Sequence, residues 1–167
     1  MDGIFGQATY DAVIWFQKKN NLTADGVVGS ATAAALGLSL NGGSVSAAAA
    51  TESETYLLAR LVHGEARGES YTGKVAVAAV VLNRVRSAAF PNTISGVIFQ
   101  SGAFDCVADG QIWLTPDQDS IRAASDALAG WDPTSGCVYY YNPATATSSW
   151  IWSREVRLTI GAHAFAV

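Results

Sequence analysis

VAVAAVVLNRVRSAAF, Val75 to Phe90, decides the fold. It is apolar almost all round, so periodicity alone does not separate a buried helix from a buried strand. The run is long for a strand, and its alanines favour a helix. We read it as a helix with no face for water, which needs other elements packed around it. Upstream, SETYLLARLVHGEARGE (Ser53–Glu69) reads as a helix capped near Thr51 or Ser53. Downstream, TPDQDSIRAASDALAGWDP (Thr115–Pro133) carries a full set of helix signals. Thr115 is the expected cap, Pro116 suits the first turn, Gln118 completes a capping box and Gly130 ends the helix. CVYYYN (Cys137–Asn142) and WIWSREVRLTI (Trp150–Ile160) are rich in aromatic and β-branched residues, which predicts short strands. The expected class is α+β with helices dominant.

The whole chain supports a folded, soluble reading. Half of its 167 residues are hydrophobic and 14% are charged, enough apolar material for a core. A net charge of −4 with ten Lys and Arg leaves no basic stripe, which argues against nucleic acid as a partner. No run of about 18 apolar residues appears, nor a charged-then-apolar leader. The two cysteines, Cys106 and Cys137, could pair as a disulfide if the protein works outside the cytoplasm, or remain buried thiols.

The front of the chain contains a repeat. DGIFGQAT (Asp2–Thr9) returns as DGVVGSAT (Asp25–Thr32), each copy a glycine turn leading into a helix with a small polar residue or Thr able to cap it. Asp2–Thr9, Ala12–Gln17 and Leu22–Gly29 resemble, in order and spacing, the peptidoglycan-binding module of bacterial cell-wall hydrolases. That module ordinarily opens with a further helix, so a shortened copy is expected over residues 1–38. A Gly-, Ser- and Ala-rich stretch over residues 39–52 reads as a flexible linker. Residues 53–167 form the larger block.

Within that block HGEARGES (His63–Ser70) gathers the chemistry. Leu58, Leu61 and Val62 form an apolar stripe on the upstream helix. Glu65 follows Leu58 by seven residues and Glu69 follows Val62 by seven, so both carboxylates fall on that stripe if the helix continues. Burial favours the neutral form of a carboxyl, which suits a general acid that protonates a poor leaving oxygen, as in glycosidic cleavage. Gly64 and Gly68 would let a chain-like substrate approach. The same glutamates could instead be structural ties to Arg60, Arg67, Arg84 or backbone amides. Zinc held by His63, Glu65 and His163 is disfavoured, because His63 points about 160° away from Glu65 on the wheel. No metal or other cofactor is expected.

Gly64–Val85, Phe90–Ile112, Gly130–Pro133, Tyr139–Arg154 and Ile160–Phe165 resemble, in order, the SleB-type spore cortex-lytic enzymes. The resemblance implies a lysozyme-related, helix-dominated domain and a lytic transglycosylase acting on peptidoglycan outside the cytoplasm, in the spore cortex or cell wall. It implies Glu65 as the catalytic acid, returning as carboxylate to take the proton of the muramic C6 hydroxyl. Asp109, Gln111 and Asn142 are expected as a supporting polar shell, with Tyr140 or Tyr141 holding the acid and Glu69 as a supporting carboxylate. Asp109-Gly110 and Asn142-Pro143 could equally be plain turns. Pyranose faces stack on aromatic rings, and among Trp113, Trp131, Trp150 and Trp152 the pair Trp150 and Trp152 would share one strand face. Alternatives left open are a muramidase-type hydrolase supported by Asp105, Asp109 or Glu155, an N-acetylmuramoyl-L-alanine amidase, and a wall-binding protein with little activity under a regulatory partner.

Overall fold

The computed structural model describes residues 7–37 and 47–167, and the chain divides into two compact units, Met1–Thr51 and Glu52–Val167. The first part of the first repeat (Asp2–Gly6), Leu38 of the expected front module and residues 39–46 of the expected linker lie outside the described residues. Among the described residues no helix is long and apolar enough to cross a membrane.

The front unit holds α1 (Gln7–Lys19) and α2 (Ser30–Ala35). Its organising group is the buried amide of Gln17. The Gln17 nitrogen lies within hydrogen-bond distance of Asp25 Oδ1, Val27 O and Thr32 Oγ1, and its oxygen accepts the Gly26 N–H at 2.8 Å. Gly26 has a φ of +72°, and a Cβ there would run into the Tyr10 ring. The second Asp-Gly turn therefore needs its glycine for conformation and for space. Thr32 does not cap α2; Gly29 does, without a side-chain bond, because the Thr32 hydroxyl is taken up in the Gln17 cluster.

The second unit begins on α3 (Ala47–Ala66), which starts ahead of the expected caps at Thr51 and Ser53. The alanine run extends the helix upstream, as its propensity allows. Val75–Phe90 is a helix through Arg86, within α4 (Tyr71–Arg86), and α4 is buried almost throughout from Gly73 to Arg84. Ser70 caps it by accepting the Gly73 N–H. Around α4 pack α5 (Ile94–Ile98), α7 (Gln118–Leu128) and a three-stranded antiparallel sheet of β1 (Tyr139–Tyr141), β2 (Val156–Ile160) and β3 (His163–Ala166), ordered β1-β3-β2. Short α6 (Asp105–Ala108) and α8 (Ser149–Trp152) complete the unit. One core cluster joins α3, α4, α5 and α7; a smaller one sets Phe165 of β3 and Cys137 against Ala76 and Val80 of α4.

Three further expectations are corrected. Trp150–Trp152 is one helical turn rather than the start of a strand, and β2 begins only at Val156. The indoles pack on tyrosines of β1, a contact that holds them off the sheet. The cap of α7 is Asp117, not Thr115: its carboxylate accepts the Ser120 N–H at 2.7 Å, and an ionised carboxylate is a stronger acceptor than a hydroxyl. The cysteine pairing is not made either. Cys106 and Cys137 are free, buried, and sit in separate clusters, and burial pushes both thiols up.

Two measurements follow from this packing. Burial pushes the Asp117 carboxyl up, but the hydrogen bonds from Ser120 and the Lys74 ammonium prevail and hold it at about 2. A depressed carboxyl stabilises the fold fully above its unfolded pKa and loses that contribution as pH falls through the folded value. Asp117→Ala should therefore cost about 1 kcal/mol near neutrality. In thermal melts the gap to wild type should shrink as pH falls toward 2. Second, an aromatic disulfide reagent should titrate neither thiol in the folded protein and both after denaturation; rapid reaction of either in the native state would contradict this burial.

Candidate active site

A cleft of about 550 Å³ opens between the end of α3, the α6 region, β1 and the loop that follows it. Glu65 stands in its wall. The Leu58–Leu61–Val62 stripe is fully buried, and Glu65, next along it, is the first side chain on that line to reach solvent. Its Oε1 accepts the backbone N–H of Cys106 at 2.9 Å, and its Oε2 accepts the Tyr140 hydroxyl at 2.8 Å. Glu65 is thus a cleft group and a tie to a backbone amide at once, joining two placements that the sequence kept apart.

Gly64 borders the cleft and also has a packing role. A Cβ there would sit 2.6 Å from that of Cys106, so the glycine lets α6 approach α3 and bring its amide to Glu65. Gly68 has open space around it. Tyr140 points inward from β1 while Tyr139 and Tyr141 point to the other face, as strand alternation requires. Burial, then the neighbouring Glu65 carboxylate, pushes the Tyr140 phenol well above its ordinary value, so it stays a hydroxyl donor.

Arg84 lines the same cleft and is nearly buried. Its Nε donates to Val138 O at 2.7 Å, and its guanidinium lies over the rings of Phe90, Phe104 and Tyr139. Burial lowers its pKa, while Tyr140, Tyr139 and Glu65 oppose that shift. The cleft therefore has a fixed cation near its carboxylate.

Of the supporting residues read from sequence, Asp109, Gln111, Tyr140, Tyr141 and Asn142 all border the cleft. Asp109 makes the turn: its two oxygens accept the Gln111 N–H at 3.0 Å and the Gln111 side-chain amide at 2.6 Å. These bonds hold Asp109 below the usual carboxylate range. They leave Gln111 Oε1 buried and, among the described residues, without a hydrogen-bond partner. Asn142 likewise shapes its turn, accepting the Ala144 N–H at 2.9 Å, and Thr145–Ser148 extend the polar wall.

Glu69, Trp150 and Trp152 are not among the residues bordering the cleft. Because α3 ends at Ala66, Glu69 leaves the helical stripe and meets the β2–β3 turn, where its Oε2 accepts the Ala162 N–H at 3.3 Å. Trp150 and Trp152 stand edge-on to Tyr139 and Tyr141, ring centroids 5.1 and 5.2 Å apart. Both indoles are about half exposed beside the loop that walls the cleft. Trp113 instead stacks on Phe99.

His63 faces Asp117 at 3.4 Å, and among the described residues no group of three His, Cys, Asp or Glu could hold a metal ion. His163 does border the cleft, a placement the sequence reading passed over except as a zinc ligand. The available signal was the alternation in HAFA, which puts His163 on the same strand face as buried Phe165.

Residues 68–166 match the Cell Wall Hydrolase family and residues 1–36 match a putative peptidoglycan binding domain. A spore cortex-lytic enzyme of Bacillus cereus is 44% identical, over 99% of this chain and 75% of its own. The catalytic domain of the Bacillus cereus SleB protein is 57% identical, with a TM-score of 0.66 over 70% of this chain and 91% of that one. The catalytic domain of the germination-specific lytic transglycosylase SleB from Bacillus anthracis is 53% identical, with a TM-score of 0.67 over 77% and 100%. The helix-dominated domain with a small sheet and the two matched modules agree with these relatives, and the chain belongs to the cell wall hydrolase family, of the same type as the SleB spore cortex-lytic enzymes.

Proposed function

We propose that this protein is a lytic transglycosylase acting outside the cytoplasm. Its substrate in this reading is peptidoglycan glycan of the spore cortex, cut between N-acetylmuramic acid and N-acetylglucosamine during germination. The carrying observation is the Glu65 carboxylate, anchored at the cleft by the Cys106 amide and the Tyr140 hydroxyl. Each carboxylate oxygen has two acceptor sites, so each retains one for a bound ligand.

In its acid form Glu65 gives a proton to the oxygen that joins the two sugars. The bond from muramic C1 to that oxygen breaks, and the electron pair leaves with the oxygen. The muramic C6 hydroxyl then closes on C1 and gives up its proton, and Glu65 is protonated again before the next cycle. Arg84 offsets the negative charge Glu65 carries in between. The polar groups of the loop from Asn142 to Ser148 are suited to sugar hydroxyls and acetamido N–H groups. The front module would hold the enzyme on the wall, with 1–38, 39–52 and 53–167 acting as binding module, linker and catalytic domain. A regulatory partner would act on this assembly.

Attack by water, as in a muramidase, is the second reading, favoured by Asp109, an ionised carboxylate bordering the same cleft. Mass spectrometry of cortex digests separates the two, since anhydro-muropeptides are lighter by one water than hydrolysed ones. Glu65→Gln should lower product release by about 10²–10⁴-fold, and unchanged anhydro product from it would remove Glu65 as the acid. Tyr140→Phe removes a hydrogen bond to a charged group, so kcat should fall roughly tenfold or more with KM little altered. Free peptide amines among the products would point instead to an amidase.

A further inference from the structure

The cleft also contains an imidazole. His163 opens β3 and borders the cleft that Glu65 lines. Its Nδ1 is buried, has no hydrogen-bond partner among the described residues, and faces Glu69 Oε1 at 3.6 Å. Glu69 is itself fixed: it accepts the Ala162 N–H, and a Cβ on Gly161 would collide with its carboxylate. Gly161 also has a φ of +58°, and the tight β2–β3 turn leaves room for the carboxylate beside the imidazole Nδ1. The His163 ring stands edge-on to Tyr140, centroids 5.3 Å apart, and Tyr140 in turn holds Glu65.

A carboxylate behind one ring nitrogen orients the imidazole and favours a proton on that side, leaving the other nitrogen as acceptor. With Nδ1 turned inward to Glu69, Nε2 is the nitrogen available to a bound substrate. We propose that His163, oriented by Glu69, accepts the proton of the hydroxyl that attacks the anomeric carbon, while Glu65 supplies the proton to the leaving oxygen. This rests on the reading of Glu65 as the acid of glycosidic cleavage. When the C6 oxygen bonds to C1, its O–H breaks and the proton goes to Nε2. The imidazolium then releases it to solvent, from which the Glu65 carboxylate is reprotonated. No net proton is consumed. A water nucleophile would lose its proton to the same nitrogen. Glu69 is then a positioning residue, which explains a partly buried carboxylate that does not border the cleft.

The test is the pH profile of cortex digestion by the full chain, with products read by mass spectrometry. Glu69 and Tyr140 face the imidazole, and the other ionisable groups bordering the cleft are Glu65, Arg84, Asp105, Cys106, Asp109 and Tyr141. His163→Gln keeps a polar side chain of similar reach. It should lower kcat by about 10²-fold or more with little change in KM, and it should abolish the acid-side limb set by imidazole protonation. Glu69→Gln keeps the imidazole but removes the carboxylate facing Nδ1, so kcat should fall by less than in His163→Gln, with KM little altered and the acid limb retained. A His163→Gln protein that retains both limbs and a near-wild-type rate overturns the proposal, as does a Glu69→Gln protein with a wild-type kcat. Thermal melts of both variants separate loss of fold from loss of chemistry. The Glu65→Gln control keeps the two readings distinct: if it is inactive while His163→Gln is fully active, the acid stands and the histidine assignment falls.

Discussion

The hydrolase unit depends on α4 having almost no face for water. A helix buried from Gly73 to Arg84 must be enclosed by α7 and α5, by α3 through the shared core, and by the sheet across the smaller Cys137–Phe165 cluster. Two polar residues near its C-terminal end are carried inward with it. Asn83 donates to Asp132 and Cys137 O, and Arg84 to Val138 O, so the chain entering β1 is pinned to α4 by side-chain hydrogen bonds. Burying those donors without partners would be costly. That requirement fixes where β1 begins, and so where Tyr140 points.

From that anchor the cleft assembles around shared contacts. Tyr140 packs against both core clusters and donates to Glu65. Cys106 brings its amide to the other oxygen because Gly64 leaves room for it. The acid is held by one strand and one short helix that are far apart in sequence. Its geometry therefore depends on the whole domain being folded, as a preorganised site requires. Arg84 supplies positive charge from within the aromatic shell of the same core.

Much of this was legible in advance. The buried helix, the α+β class, the turn glycine of the second repeat and the placement of Glu65 on an apolar stripe follow from periodicity and turn chemistry, which are local. The misread elements failed for tertiary reasons. Trp150 and Trp152 carry strong strand propensity, yet contacts with Tyr139 and Tyr141 compete with sheet pairing and leave them on a helical turn. Asp117 displaced Thr115 as a cap in a setting where Lys74 and His63 converge on its carboxylate. Glu69 could not be placed by a helical wheel once α3 stopped at Ala66.

The sequence by itself determined the long helices around Val75–Arg86, that Glu65 continues an apolar stripe, and which family pattern the chain follows. These depend on residues within a few turns of one another. Only the tertiary structure decided what touches that glutamate: an amide 41 residues away and a phenol 75 residues away. It alone set His163 over Glu69, 94 residues apart, and sent the two cysteines into different clusters. Such pairings are settled by how the sheet and α6 close around α4, and a linear pattern carries no record of that closure.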